Sequence, residues 1–286
     1  MAEKKLAVVT GGAGFIGSHL CERLVKEGYA VISLDNYFTG TKENHVEGVE
    51  YRDGHTKDIN ILIPEAPDII FHLGEYARVE QSFADIELVL DSNMLGTMSV
   101  LEYVRKTGAK LVYAGSSTKF ADGGIGKDQS PYAWTKASNT NLVQRYGDWY
   151  GINYAITYFY NVYGPRERGD LETGTLIGIF LQKNQLNEKL SVRKPGTQKR
   201  NFTHVLDIVD GLFAVGEKGE GDEYGLGNPT AYSIMEVAEM FGGEIDLLPE
   251  RPGNRMTSEV DIKRATLELG WKPKYQLVDY IKQVKK

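Results

Sequence analysis

The hydrophobic positions change period along the chain. LAVVT (6–10), AVISLD (30–35), DIIFHLG (68–74), KLVYAGSS (110–117) and YAITYFYNVYG (154–164) are short apolar runs of the kind that form strands buried on both faces. VEYRDGH (49–55) is a weaker run of the same kind. Between them, FIGSHLCERLVKEG and SNMLGTMSVLEYVRKTG carry apolar residues at helical spacing, the first with Gly28 as a stop signal. Strands alternating with amphipathic helices predict a parallel sheet covered on both faces, with right-handed crossovers and a ligand cleft at the carboxyl ends of the strands.

After Pro165 the pattern loosens. LIGIFLQKNQ and HVLDIVDGLFAVGE read as helices, and KLSVRK and EYGLGN as strands. Ser233 and Glu236 form an S-x-x-E capping box before the apolar helix SIMEVAEMFG. The pattern predicts a doubly wound sheet domain over 1–163 and 204–228, interleaved with a smaller C-terminal α/β lobe over 164–203 and 229–286.

Composition narrows this little. With 286 residues, 41% hydrophobic and 25% charged, the chain is ordinary for a soluble globular protein. A formal charge of -6 argues against a nucleic-acid partner. The terminal KQVKK reads as a solvated helix end. The single cysteine, Cys21, excludes an internal disulfide and falls in a helical pattern, as a buried structural thiol would. No charged-then-apolar leader and no run of membrane-spanning length is present, so a cytoplasmic protein with no membrane partner is expected, and no metal site.

The chemistry begins in the loop after the first strand. Gly11, Gly14 and Gly17 follow the spacing G-x-x-G-x-x-G. Gly11 suits the tight turn, Gly14 lets backbone approach a pyrophosphate, and Gly17 allows close helix–strand packing. Phe15 and Ile16 open a helix whose free N–H groups face the phosphates. Asp35 ends the second strand, 18 residues past Gly17. A carboxylate there accepts from adenosine ribose hydroxyls and repels a 2′-phosphate, which favours NAD over NADP and predicts a Rossmann-type fold.

Further on, Tyr132 and Lys136 stand four apart in SPYAWTK, and on a helix they share a face. Pro131 suits the helix start. A free phenol is a poor base at neutral pH, but a neighbouring ammonium and a bound pyridinium both favour the phenolate. Tyr-x-x-x-Lys alone is common in a chain with 17 tyrosines. Its place shortly after the strand carrying Ser116, Ser117 and Thr118 is what gives it meaning.

These segments together resemble the extended short-chain dehydrogenase/reductase family, in its NAD-dependent nucleotide-sugar epimerase/dehydratase branch. TGGAGFIGSHL, LDNYFTG, FHLGEYA, LDSNMLGT, SST, PYAWTK, YNVYGPRE, RNFTHVLD and RPGN…LGWKP carry the likeness, over about residues 5 to 275. The resemblance implies that Asp35, Asn36 and Gly40 cradle the adenosine ribose, Asp58 and Ile59 flank the adenine, and Leu73 and Gly74 pass beneath the cofactor. It implies Tyr132 as base, Lys136 on the nicotinamide ribose, Ser117 on the reacting hydroxyl with Ser116 as alternate, and Tyr160 beside the nicotinamide. Asn161, Arg200 and Arg251 would hold the diphosphate of a nucleotide sugar, where forked charged donors suit phosphate. A homodimer is implied too, built on the helices around 93–104 and after Tyr132.

Dehydratases of that family carry an acidic pair after the hydroxyl motif, and decarboxylases a glutamate. Here Thr118-Lys119-Phe120 follow, which disfavours both reactions and points to 4-epimerisation of UDP-Glc/UDP-Gal or UDP-GlcNAc/UDP-GalNAc through a 4-keto sugar. The resemblance places Ser258 near the sugar's C2 substituent, where so small a residue implies room for an N-acetyl group; the alternative is an ordinary loop serine. The alternatives are an NAD(H)-linked dehydrogenase or 4-keto reductase, and a catalytically silent NAD-binding regulator. The short segment ADGGIGKDQ over 121–129 departs from the family pattern and lies where the substrate would sit.

Overall fold

The computed structural model describes residues 4–171, 173–250 and 260–285. Seven parallel strands form the central sheet: β1 (Leu6–Thr10), β2 (Ala30–Asp35), β3 (Val49–Asp53), β4 (Ile69–His72), β5 (Lys110–Ser116), β6 (Tyr154–Phe159) and β7 (Gly221–Leu226). Their spatial order is β7-β6-β5-β4-β1-β2-β3. The chain winds outward from β1 to β3, then returns to lay β4 on the other side of β1. The switch point, where a doubly wound sheet opens a cleft, therefore lies at the carboxyl ends of β1 and β4.

Both faces of the sheet are covered, as the unbroken apolar runs require. Ala7 and Val9 of β1 point into one core, with Leu20, Phe71, Val112, Leu212 and Trp271. Val8 points into the other, with Ile32, Ile70, Leu101, Leu111, Tyr113 and Val143. The first core is roofed by α1 (Phe15–Lys26) and α5 (Val205–Lys218), the second by α2 (Gly96–Thr107) and α3 (Pro131–Tyr150). Cys21 is fully buried in the first core.

A third apolar cluster, with Tyr163, Ile177, Phe180, Val192, Phe241 and Leu277 among its members, forms the interior of the smaller lobe. It is framed by α4 (Leu176–Gln185), α6 (Ile234–Phe241) and a parallel pair, Leu190–Arg193 with Ile245–Leu248. The capping box is present: Ser233 Oγ accepts from Glu236 N at 3.1 Å, and Ser233 N donates to Glu236 Oε2 at 2.6 Å. Part of the C-terminal segment returns to the sheet, where Trp271 Nε1 donates to the Asp207 carbonyl at 2.9 Å.

Two local differences from the sequence pattern matter for the cleft. The helix expected from Ser92 starts as a wide π-type turn, Leu90–Leu95, and becomes regular at Gly96. Asn93 explains it, because its side chain is drawn out to both backbone groups of Tyr76, at 2.6 and 3.1 Å, and to Thr135 at 3.0 Å. The segment after β5 winds as a tight 3-10 helix, Ser117–Asp128, rather than an open loop. No helix among the described residues is long and apolar enough to cross a membrane.

Candidate active site

The glycine loop is shaped by contacts that leave no room for side chains. Gly11 has φ +74°, and a Cβ there would lie 3.0 Å from the backbone of Gly74 at the end of β4. A Cβ on Gly17 would fall inside the van der Waals radius of the Gly11 carbonyl oxygen and 2.8 Å from its carbonyl carbon. Strand, turn and helix therefore meet backbone to backbone, as the spacing predicts. Gly14 caps α1 without a side-chain hydrogen bond, and the first turn holds no acidic residue. The N–H groups opened by Phe15 and Ile16 are thus left for an anion.

Asp35 closes the other side. Its buried carboxylate accepts from Ala13 N through Oδ2 and from Tyr37 N through Oδ1, both at 2.9 Å. Burial raises its pKa, against the pull of those two backbone donors. Gly40 lies so near that a Cβ would come within 2.9 Å of Asp35 Oδ1. Asn36 is exposed and closes an Asx turn onto Phe38 N at 3.1 Å. A glycine cradle, an uncapped helix start and a carboxylate at ribose reach fit NAD. Asp58 is exposed at the rim, whereas Ile59 is fully buried in the second core, with its N–H bonded to Thr56 O. The Ile59 side chain is therefore a core residue and cannot flank an adenine, contrary to the expectation for it.

At the β4–β5 end the side chains do the positioning. Ser130 caps α3, accepting from Ala133 N at 3.1 Å, and Pro131 takes the first turn. That helix start aims Tyr132 at the end of β5, where its hydroxyl donates to Ser116 Oγ at 3.3 Å. Ser116 Oγ is also 2.9 Å from Thr118 Oγ1. Of the two expected serines, it is Ser116 that meets the phenol; Ser117 begins the 3-10 turn.

Lys136 points from the same helix into the protein. Its ammonium is hydrogen-bonded to the carboxylate of Glu75 and to the Ala114 carbonyl. The ammonium expected to favour the phenolate is thus already paired with a carboxylate. Burial pushes the Tyr132 pKa upward; the Ser116 hydrogen bond opposes that, Glu75 adds to it, and Arg78 opposes it. The net direction is up.

Behind the pair runs a polar chain that the sequence reading missed. Leu73 N and Gly74 N donate to Thr10 Oγ1, at 3.1 and 2.9 Å. Thr10 must then donate its own proton to His72 Nδ1, 2.7 Å away. His72 in turn carries its proton on Nε2 and donates to Thr97 Oγ1 at 3.0 Å, and Thr97 donates to Glu75 Oε1 at 2.9 Å. Glu75 also accepts from Asn139 Nδ2 at 2.9 Å and Tyr113 Oη at 3.1 Å. Leu73 and Gly74 are thus tied through their backbone N–H groups to the end of β1. The available signal for the rest was a lone acid, Glu75, directly after a buried strand.

The expected substrate residues are less converged. Asn161, with φ 36°, donates through its amide to the Asn201 carbonyl at 2.8 Å, beside Arg200. Arg200 donates to the Lys199 carbonyl at 2.8 Å. Tyr160 is buried, its ring against Gly227, so it serves packing at the end of β6 rather than presenting an edge to the cleft. Lys119 turns away to Asp222, 3.3 Å distant, and to Tyr158 Oη at 3.1 Å. Arg251 and Ser258 lie outside the described residues.

Residues 7–227 match the model of the NAD dependent epimerase/dehydratase family. UDP-glucuronic acid decarboxylase 3 of Arabidopsis thaliana is 30% identical over 297 residues, covering 94% of this chain and 85% of that protein. Among solved structures, the UDP-glucose 4-epimerase of Thermotoga maritima with UDP-glucose gives a TM-score of 0.90 at 26% identity, covering 98% of this chain and 97% of that one. The UDP-glucose 4-epimerase of Thermus thermophilus, in complex with NAD, gives 0.86 at 27% identity, with the same coverage of 98% and 97%.

Proposed function

Since the chain belongs to the NAD dependent epimerase/dehydratase family and takes NAD as its cofactor, we propose that it is a nucleotide-sugar 4-epimerase acting through a transient 4-keto sugar. The observation that carries this reading is the Tyr132 hydroxyl on Ser116 Oγ at the carboxyl end of β5, with no carboxylate among Thr118, Lys119 and Phe120. Elimination needs an acid or base beyond the Tyr–Ser pair, and Lys119 is held by Asp222.

NAD, when bound, supplies the hydride acceptor and donor. Tyr132 takes the proton of the sugar's 4-hydroxyl and later returns it. Ser116 hydrogen-bonds the same oxygen and steadies it as charge develops. Asp35 and the glycine loop hold the adenosine and pyrophosphate. Asn161, Arg200 and Arg251 are the proposed grip on the substrate diphosphate, so that binding energy remote from C4 keeps the sugar in place while it turns over. UDP-Glc/UDP-Gal and UDP-GlcNAc/UDP-GalNAc are the proposed pairs.

The test is incubation of the purified protein with each UDP-sugar and no added cofactor. Epimer accumulation without net NADH absorbance is expected; stoichiometric NADH would make it a dehydrogenase instead. We extend the reading to a homodimer, because Leu95 and Met98 at the start of α2 and Trp134 on α3 are 49%, 44% and 47% exposed on neighbouring helices. Sedimentation as a strict monomer would refute that part.

A further inference from the structure

The carboxylate of Glu75 lies behind the Tyr132–Lys136 pair and has no part in the steps above. It is gripped from three elements: by Thr97 on α2, Tyr113 on β5, and Asn139 and Lys136 on α3. Its side chain is 4% exposed and that of Lys136 7%. Charges so far from water persist when they are paired and hydrogen-bonded, and Glu75 and Lys136 are both. The chain from Thr10 through His72 and Thr97 delivers a hydroxyl proton to Glu75, so the carboxylate is the acceptor at which that chain ends.

We propose that Glu75 is a positioning residue for the Tyr132 proton acceptor: it clamps the Lys136 ammonium, one turn along α3 from Tyr132, against the Ala114 carbonyl and places its own negative charge on the side of the phenol away from Ser116. The inference rests on the role given to Tyr132 under the proposed function. Tyr132 is faced by Ser116 from β5, Arg78 from the loop after β4, and Glu75. Glu75 is faced by Lys136, His72 and Tyr113. Burial disfavours its ionised form, but the charge and hydrogen bond of Lys136, with the hydrogen bond from Thr97, outweigh burial and hold the Glu75 carboxyl below the usual range. It is therefore charged at neutral pH, and its charge raises the proton affinity of the Tyr132 oxygen. An isomerisation must return the proton it takes, and a phenol that ionises too readily loses that proton to solvent before the return step.

The test uses the NAD-saturated protein and needs no sugar. Phenolate absorbance is followed against pH, and each protein is compared with its own Tyr132→Phe counterpart, so the other tyrosines cancel. In Glu75→Gln the Tyr132 midpoint should fall by about one pH unit, the size of shift that one nearby charge produces. An unmoved or raised midpoint, with NAD still bound, overturns the proposal. A merely structural role would lower stability and leave the midpoint in place. Should the neutral variant fail to fold, Glu75→Asp carries the test. Its shorter arm draws the charge back from Lys136 and the phenol, so the midpoint must fall by a smaller amount, and no movement overturns the proposal there too. A protein that titrates as expected yet converts no nucleotide sugar would sink the epimerase reading and leave this one standing.

Discussion

The two ends of the cleft are built on different principles. At the β1–β2 end the shape is made by backbone: Gly11 and Gly17 meet main-chain atoms, and Asp35 is held by two main-chain N–H groups. At the β4–β5 end it is made by side chains from distant segments: Tyr132 on Ser116, Lys136 on Glu75, and His72 between two threonines. The first end tolerates little change in residue size. The second tolerates little change in charge or proton count.

The largest test of that division is Tyr132→Phe. Removing the hydroxyl deletes the proton acceptor and should lower turnover by about 10²–10⁴-fold. The glycine end is untouched, so NAD should co-purify in the same amount. Loss of NAD from this variant would mean that the two ends are not separable.

The same division decides what the sequence revealed. The glycine end is written in short-range pattern: three glycines, a helix and an acid within one β-α-β unit, each with a local reason for its type. The sheet strands were equally plain, because a strand buried on both faces is apolar throughout. The Glu75 network was not, since its partners at 97, 113, 136 and 139 share no local spacing with it and each has an ordinary reading alone. Ser116 and Ser117 could not be ranked, because successive residues at a strand end point to opposite faces and the end of β5 was not known to the residue. Ile59 was read through a motif and proved to belong to the core, an outcome its aliphatic side chain alone would have suggested.

A second test sharpens the contrast through pH. Burial holds the His72 imidazole down from 6.5 to about 4, with Glu75 raising it and Lys136 lowering it. The folded state therefore keeps His72 neutral while the unfolded chain protonates it. The resulting stability is full above about pH 6.5 and is lost as pH falls toward about 4, amounting to about 3 kcal/mol over the window. Asp35 works in the opposite sense: its raised pKa means that its contribution is present at low pH and is lost as pH rises through the folded value. His204, at the start of α5, is also lowered to about 4, so the share of His72 is read by difference. Urea unfolding of wild type and His72→Gln at about pH 7 and about pH 4.5 should show a flatter pH dependence in the variant, whose amide retains one donor and one acceptor. Equal slopes would remove His72 from the account.

The smallest expected effect comes from the backbone end. In Gly17→Ala the new methyl meets the Gly11 carbonyl and, at 2.9 Å, the Gly12 Cα, all of it main chain that cannot rotate aside. The loop or α1 must shift, and overpacking of this kind costs about 1–3 kcal/mol. For a chain of this size that is roughly 2–4 °C of melting temperature per kcal/mol. The same shift moves the N–H groups at the start of α1 off the pyrophosphate, so NAD content should fall while the Tyr132–Ser116 and Lys136–Glu75 contacts persist. Turnover per bound NAD should then stay near wild type. If it collapsed along with NAD content, the side-chain end would be leaning on the glycine loop for its geometry, and the cleft would have to be treated as one cooperative unit.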